Sequence, residues 1–221
     1  MQSKWQRSQR CPRRPCKVVK IMIDSKLVMQ LRAQTGAGVL EAKHALEESG
    51  GDIEKAVEVL RKSGAIKAAK KSERATNEGL VHAYIHGGGK VGVLLELLCE
   101  TDFVARNPEF ENLAHDLAMQ IAAANPLYVK SEDIPQEVVE KEKSIYSEEV
   151  AEKPANIVDK IVEGKLEKWY SEVCLMNQPF IKDEDTTIGE LIQSKIAKLG
   201  ENIQVRRFVR YSLQDGGTSV C

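Results

Sequence analysis

Apolar residues recur at helical spacing through the first part of the chain. Leu27, Val28 and Leu31 share one helical face, and Ser25 stands where an N-cap belongs. Thr35-Gly36-Ala37-Gly38 ends that segment, since two glycines so close together supply positive φ. Val39, Ala42 and Leu46 form a second stripe, stopped by Gly50-Gly51. Asp52 then caps a third helix that carries Ile53, Ala56, Val57 and Leu60. Residues 22–62 read as a three-helix head, marginal as an isolated fold at that size. Residues 63–78 read as a linker. Lys67, Lys70 and Lys71 among alanines favour a short exposed helix there, with a solvated basic spacer as the default.

From residue 79 the period changes. Gly79 to His86 and Val91 to Leu98 are rich in β-branched and apolar residues, and Gly87-Gly88-Gly89 separates them. They predict an antiparallel hairpin whose second strand is buried along most of its length. Asn107-Pro108-Glu109 opens a helix with a cap, a proline in the first turn and an acid at the positive end. Phe110, Leu113, Leu117 and Ile121 are its apolar stripe, Asn125-Pro126 stops it, and Leu127-Tyr128-Val129 predicts a short third strand. Residues 135–174 predict two polar amphipathic helices broken at Pro154. Thr187-Ile188-Gly189-Glu190 is a capping box for a helix with Leu191, Ile192, Ile196 and Leu199, closed by Gly200. A last strand runs from Ile203 to Tyr211. Strict alternation puts Ile203, Val205, Val209 and Tyr211 on one face and Arg206 and Arg210 on the other. Residues 214–221 read as a frayed tail. The fold class is α+β: a three-helix head joined to a core, residues 79–213, of a small antiparallel sheet packed with helices.

Composition narrows the function. No apolar run approaches the ~20 residues that span a bilayer, so no membrane partner is expected. The net charge is −1, but Lys4, Arg7, Arg10, Arg13, Arg14, Lys17 and Lys20 form an acid-free basic tail over residues 1–21. Without those seven residues, 25 basic side chains face 33 acidic ones, a balance of −8 that counts against a general affinity for nucleic acid. The tail fits a targeting peptide, or a start of translation at Met22. The second is the expectation carried here, because ordered sequence begins directly after it. Cysteines stand at 11, 16, 99, 174 and 221 with no C-x-x-C pair, which favours reduced thiols over a zinc site or a disulfide framework.

Candidate chemistry is sparse. His82 and His86 lie on one strand face, but two imidazoles without a third ligand nearby in sequence do not make a metal site. Gly87-Gly88-Gly89 is a hairpin turn and not a phosphate loop, since no Gly-Lys-Ser/Thr follows. No Ser-His-Asp or Cys-His order stands out, and Trp169 and Tyr170 read as helix packing. Neither an enzyme nor a cofactor site is expected. An isolated Asp102-Phe103 pair would read as loop packing, with Phe103 filling the edge of the core.

Context alters that reading. Leu31-Arg32-Ala33-Gln34-Thr35-Gly36-Ala37-Gly38 in a three-helix module resembles the ubiquitin-associated-like head of the elongation factor Ts family. Lys62-Ser63-Gly64-Ala65-Ile66-Lys67-Ala68-Ala69-Lys70-Lys71 resembles that family's linker, and Glu100-Thr101-Asp102-Phe103-Val104-Ala105 its exchange loop. Asn177-Gln178-Pro179-Phe180, Gly200-Glu201-Asn202-Ile203 and Val205-Arg206-Arg207 are similar to its later landmarks. The likeness runs from about Met22 to Leu213, and the basic tail lies outside it. Long members carry a second, related subdomain and a coiled-coil excursion, and this chain resembles the short type.

The resemblance implies a guanine-nucleotide exchange factor that acts in the cytoplasm on elongation factor Tu bound to GDP. It implies partner contacts at Thr101, Asp102, Phe103 and Val104, with Phe103 entering an apolar pocket and Asp102 engaging loops that support Mg²⁺. Leu199 and Gly200 match a further contact near the nucleotide, although a plain helix C-cap explains them as well. Val39 and the neighbouring glycine loop match a head contact, with packing inside the head as the alternative. A short-type core also implies a homodimer that covers sheet edges or apolar faces. A different function, a ubiquitin-associated-like binding adaptor or chaperone, would account for the head but not for the Thr-Asp-Phe-Val-Ala segment.

Overall fold

The structure is a computed structural model, and it describes residues 24–150 and 155–213. The expectations for residues 1–21 and 214–221, for Pro154 and for Cys11, Cys16 and Cys221 lie outside the described residues. The chain divides into two compact units, Met1–Val59 and Leu60–Cys221.

In the first unit, α1 (Ser25–Thr35), α2 (Val39–Glu48) and the start of α3 (Ile53–Lys71) form the three expected helices. Val28, Leu31, Ala42, Ala45, Leu46 and Ala56 are buried. The cap of α1 is one residue earlier than expected. Asp24 has the extended backbone of a cap, and its carboxylate accepts from Lys26 N at 3.1 Å, so Ser25 is the first helical residue. Gly36 closes the helix at φ 68°. Asp52 caps α3 as read, accepting from Glu54 N at 3.0 Å and Lys55 N at 3.3 Å. Val39 leaves its expected stripe. As the first residue of α2 it is 53% exposed, and Ala42, Ala45 and Leu46 carry the buried face. Packing inside the head therefore does not account for Val39.

Helix α3 does not end where a spacer was expected. It continues through Gly64 to Lys71, and Ala68 is 3% exposed in the core of the second unit. One buried methyl among lysines leaves no periodic signature, so the segment reads as solvated from sequence.

The second unit contains, in order, β1 (Glu78–His86), β2 (Val91–Cys99), the one-turn α4 (Asp102–Ala105), α5 (Pro108–Ala124), α6 (Gln136–Glu149), α7 (Ala155–Val173), β3 (Pro179–Phe180), β4 (Asp183–Thr187), α8 (Ile188–Leu199) and β5 (Gln204–Ser212). The main sheet is antiparallel in the order β1-β2-β5. Gly79 is required by its surroundings: it pairs with Leu98 at φ 153°, and a Cβ there would lie 2.2 Å from Leu97 O. One face of the sheet meets α5 and α8. Val93, Leu95, Leu97 and Cys99 pack there with Phe110, Leu113, Leu117 and Ile121 from α5 and with Ile188, Ile192 and Ile196 from α8. Both helix stripes and the Thr187–Glu190 capping box match the sequence reading.

Three departures have physical causes. The β2–β5 ladder shifts between Glu96 and Leu97, where Glu96 pairs with Arg207 but Leu97 with Val205. The extra residue, Arg206, reverses the alternation. Val205 is buried, while Val209 and Tyr211 turn to solvent, Tyr211 at 71% exposure. Arg210 faces α5 and donates to Ala122 O at 3.3 Å. Strict alternation had placed Val205, Val209 and Tyr211 together. Secondly, residues 127–129 form no strand, only a single parallel bridge between Tyr128 and Cys174. Thirdly, the β3–β4 hairpin was not anticipated. Its turn is tied to α5 by buried Gln120, which donates to Pro179 O at 3.1 Å and accepts from Ile181 N at 2.9 Å. The two polar helices α6 and α7 lie where expected, linked by a Glu149–Lys165 ion pair. No helix among the described residues is long and apolar enough to cross a membrane.

Candidate functional site

At the end of β2 the chain leaves the core and forms a single helical turn. The sequence predicts a loop here, with helix resuming at Asn107. Instead, Asp102–Ala105 is helical, with Arg106 N donating to Asp102 O at 3.2 Å. Successive helical residues point about 100° apart. Val104 therefore turns into the core at 8% exposure, and Phe103 stands out at 84%. Phe103 does not fill the edge of the core, and Val104 anchors the turn instead of offering a surface. Asp102 is exposed and pairs with Arg106 at 3.3 Å.

The turn stands on a fixed base. Cys99 Sγ–H donates to Thr101 O at 3.1 Å. Asn107 caps α5 by accepting from Glu109 N at 2.9 Å. Glu109 reaches Lys195 at 2.7 Å and Lys198 at 2.8 Å on α8. Those two ammonium groups, Lys195 foremost, hold its carboxyl down at about 2.

The end of α8 meets this base. Leu199 is half-buried against the core, and Gly200 is exposed at φ 84°, its N–H donating to Ile196 O at 3.0 Å. Positive φ there suits glycine and directs the chain straight into β5. Glu201, just beyond, bonds Thr101 twice, and Asn202 N donates to Glu100 Oε1 at 2.7 Å. The structure thus brings residues 100–101 and 200–202 together. Sequence reasoning named both segments but assigned no role to Glu201. A single acid after a helix-ending glycine carries no signal of a partner 100 residues away. Val39 belongs to the other unit.

The remaining candidates separate. His82 Nε2 lies 3.3 Å from His115 Nδ1, while His86 Nδ1 meets Tyr84 OH at 3.0 Å. The two strand histidines have different partners, and no group of three metal-ligating side chains occurs among the described residues. Burial pushes the thiols of Cys99 and Cys174 up to about 11, which suits inert core residues and not nucleophiles. The sheet face away from α5 exposes Val81, Ile85, Leu94, Val209 and Tyr211. Beside them Glu96 pairs with Arg206 at 2.8 Å and Arg207 at 2.6 Å.

Comparison with known proteins matches residues 25–215 to the family model described as Elongation factor TS. The chain is 57% identical over 197 residues to a Carboxydothermus hydrogenoformans protein named Elongation factor Ts, covering 88% of this chain and 91% of that one. It is 57% identical over 194 residues to the Elongation factor Ts of Thermotoga petrophila, covering 88% and 98%. Against the protein of that name from Caldanaerobacter subterraneus it is 54% identical over 197 residues, again covering 88% and 98%.

Proposed function

This chain belongs to the elongation factor Ts family, and on that premise we propose that it binds elongation factor Tu carrying GDP and drives the nucleotide out. The observation that carries this reading is Phe103: a large aromatic, 84% exposed, on a short turn whose neighbour Val104 is locked in the core. An exposed phenylalanine on a rigid base loses little entropy on docking, and aromatic anchors dominate interface energies.

The exchange needs no covalent chemistry. A G domain holds its nucleotide through backbone N–H groups around the phosphates and through Mg²⁺. A partner that favours the emptied, distorted G domain weakens GDP by the same factor by which GDP weakens the partner. A ten-thousand-fold shift requires about 5.5 kcal/mol of differential affinity. Phe103 inserting into an apolar pocket supplies part of it. Asp102 exchanges its pairing with Arg106 for loops that support Mg²⁺. Thr101 fixes the direction of the turn, and Val104 acts by anchoring it. Gly200, beside Leu199, presents bare backbone close to the same surface. The three-helix unit, of ubiquitin-associated-like type, supplies a separate contact through exposed Met29, Val39 and Leu40. The cytoplasm is the compartment in which this reaction would run.

The protein acts as a homodimer in this reading. Helix α5 packs on one side of its sheet, and among the described residues the other side carries the exposed apolar residues named above. A second copy placing the same face against it covers both at once by twofold symmetry. Release of labelled GDP from elongation factor Tu, with wild-type protein and Phe103→Ala side by side, tests the main proposal. Acceleration by the first and not by the second is the expected result.

A further inference from the structure

Thr101 is held at both of its donors by one carboxylate. Its backbone N–H donates to Glu201 Oε2 at 3.0 Å, and its hydroxyl donates to Glu201 Oε1 at 2.6 Å. Thr101 is the N-cap residue of α4, yet its side chain makes no cap bond to that helix. The hydroxyl is committed to Glu201 instead. A helix of four residues has no stability of its own, so its order comes from outside it.

The contact is reciprocal. Glu201 takes the N–H of Thr101, and Glu100 takes the N–H of Asn202 at 2.7 Å. Two acids, one on each segment, each accept a backbone donor from the other. Behind them Asn202 is 1% exposed and donates through Nδ2 to Ser72 O at 3.2 Å and Arg74 O at 2.9 Å. Arg74 reaches Glu100 at 3.5 Å, and Lys71 Nζ donates to Gly200 O at 2.8 Å. The clasp therefore rests on the end of α3 as well. Hydrogen bonds to an ionised carboxylate are stronger than neutral ones, and a bidentate pair also fixes direction.

We infer that Glu201 is a positioning residue: its two bonds to Thr101 lock the α4 turn to the Gly200 turn, so that Phe103 meets elongation factor Tu already aimed. The inference rests on the exchange reading above. Its physical content is preorganisation, because a turn that is loose before docking must be ordered during the rate-determining insertion. The consequence falls on the step that Phe103 performs and not on the first encounter.

The test uses the full chain and three variants of the clasp. Glu201→Gln removes the charge and one of two acceptors, Thr101→Val removes only the hydroxyl, and Thr101→Ser restores it. Amide hydrogen exchange over residues 101–106 should rise about tenfold in the first two and stay near wild type in the third. Their GDP-release rate at saturating protein should fall about tenfold, with the half-saturating concentration unchanged. Combining Glu201→Gln with Phe103→Ala should be no slower than Phe103→Ala alone, since Glu201 acts through Phe103. Additive losses, or an unchanged release rate in both Glu201→Gln and Thr101→Val, would overturn the inference. So would amide exchange left unchanged over residues 101–106, a readout that needs no partner protein. If Phe103→Ala itself has no effect on release, the exchange reading fails instead, and the amide result still decides whether the clasp orders the turn.

Discussion

Phe103 and Val104 are adjacent, equally apolar and opposite in fate. The sequence marks both as leaving a buried strand, but only the one-turn helix decides which of them faces out. A four-residue helix is too short to leave a periodic pattern, which is why the segment reads as a loop. The contrast gives a residue-scale prediction. Phe103→Ala should change stability by no more than about 0.5 kcal/mol, as for other exposed positions, while weakening the complex by at least about 2 kcal/mol. Leu113→Ala, at a fully buried site on α5, should cost ~2–5 kcal/mol of stability through the cavity it leaves. Denaturant melts of the two variants check the pair. Equal destabilisation would mean that Phe103 packs in the core after all.

Between elements, the contact of β1 with α5 carries a titratable pair. His82 on β1 and His115 on α5 share a 3.3 Å contact that one proton satisfies and two protons break. Desolvation first, and then His115, lowers the His82 pKa below 6.5, while Glu111 on α5 opposes them. Tyr84 and His86 flank the pair on the strand side. A folded pKa below the unfolded one means that the folded state binds the proton less well. This contribution to stability is present above 6.5 and is lost as pH falls through that value toward the lower folded pKa. The melting temperature should drop as pH falls through 6.5, and His82→Gln should flatten that drop. An identical slope in the variant would contradict the assignment. Most helix stripes and caps, and the first hairpin, were legible in the sequence because each is a local pattern with its own stop signal, although the α1 cap fell one residue early and Val39 left its stripe. The partner of His82 was not, since a histidine on a helix gives no hint of which strand it crosses. The bulge at Arg206 was equally hidden: it inserts one residue into a regular alternation, and only the partner strand reveals it.

Over the whole molecule, the α+β class and the order of the main helices and of β1, β2 and β5 followed from the sequence, while α4, the β3–β4 hairpin and the faces left uncovered did not. Because of the bulge, Val209 and Tyr211 join Val81, Ile85 and Leu94 on the outer side of the sheet. An apolar sheet face of this kind calls for a cover. Leu94→Lys, at the centre of that face, should convert a dimer to a monomer in light scattering at micromolar concentration without loss of secondary structure. A wild-type protein that already scatters as a monomer would refute the homodimer.

In the proposed exchange reaction, this chain empties the nucleotide site of elongation factor Tu through Phe103. Stopped-flow release of a fluorescent GDP analogue from elongation factor Tu measures it directly. The wild-type chain at saturating concentration should accelerate release by orders of magnitude, and Phe103→Ala, equally folded, should abolish most of that acceleration. A release rate that the wild-type chain leaves unchanged, or that Phe103→Ala matches, would contradict it.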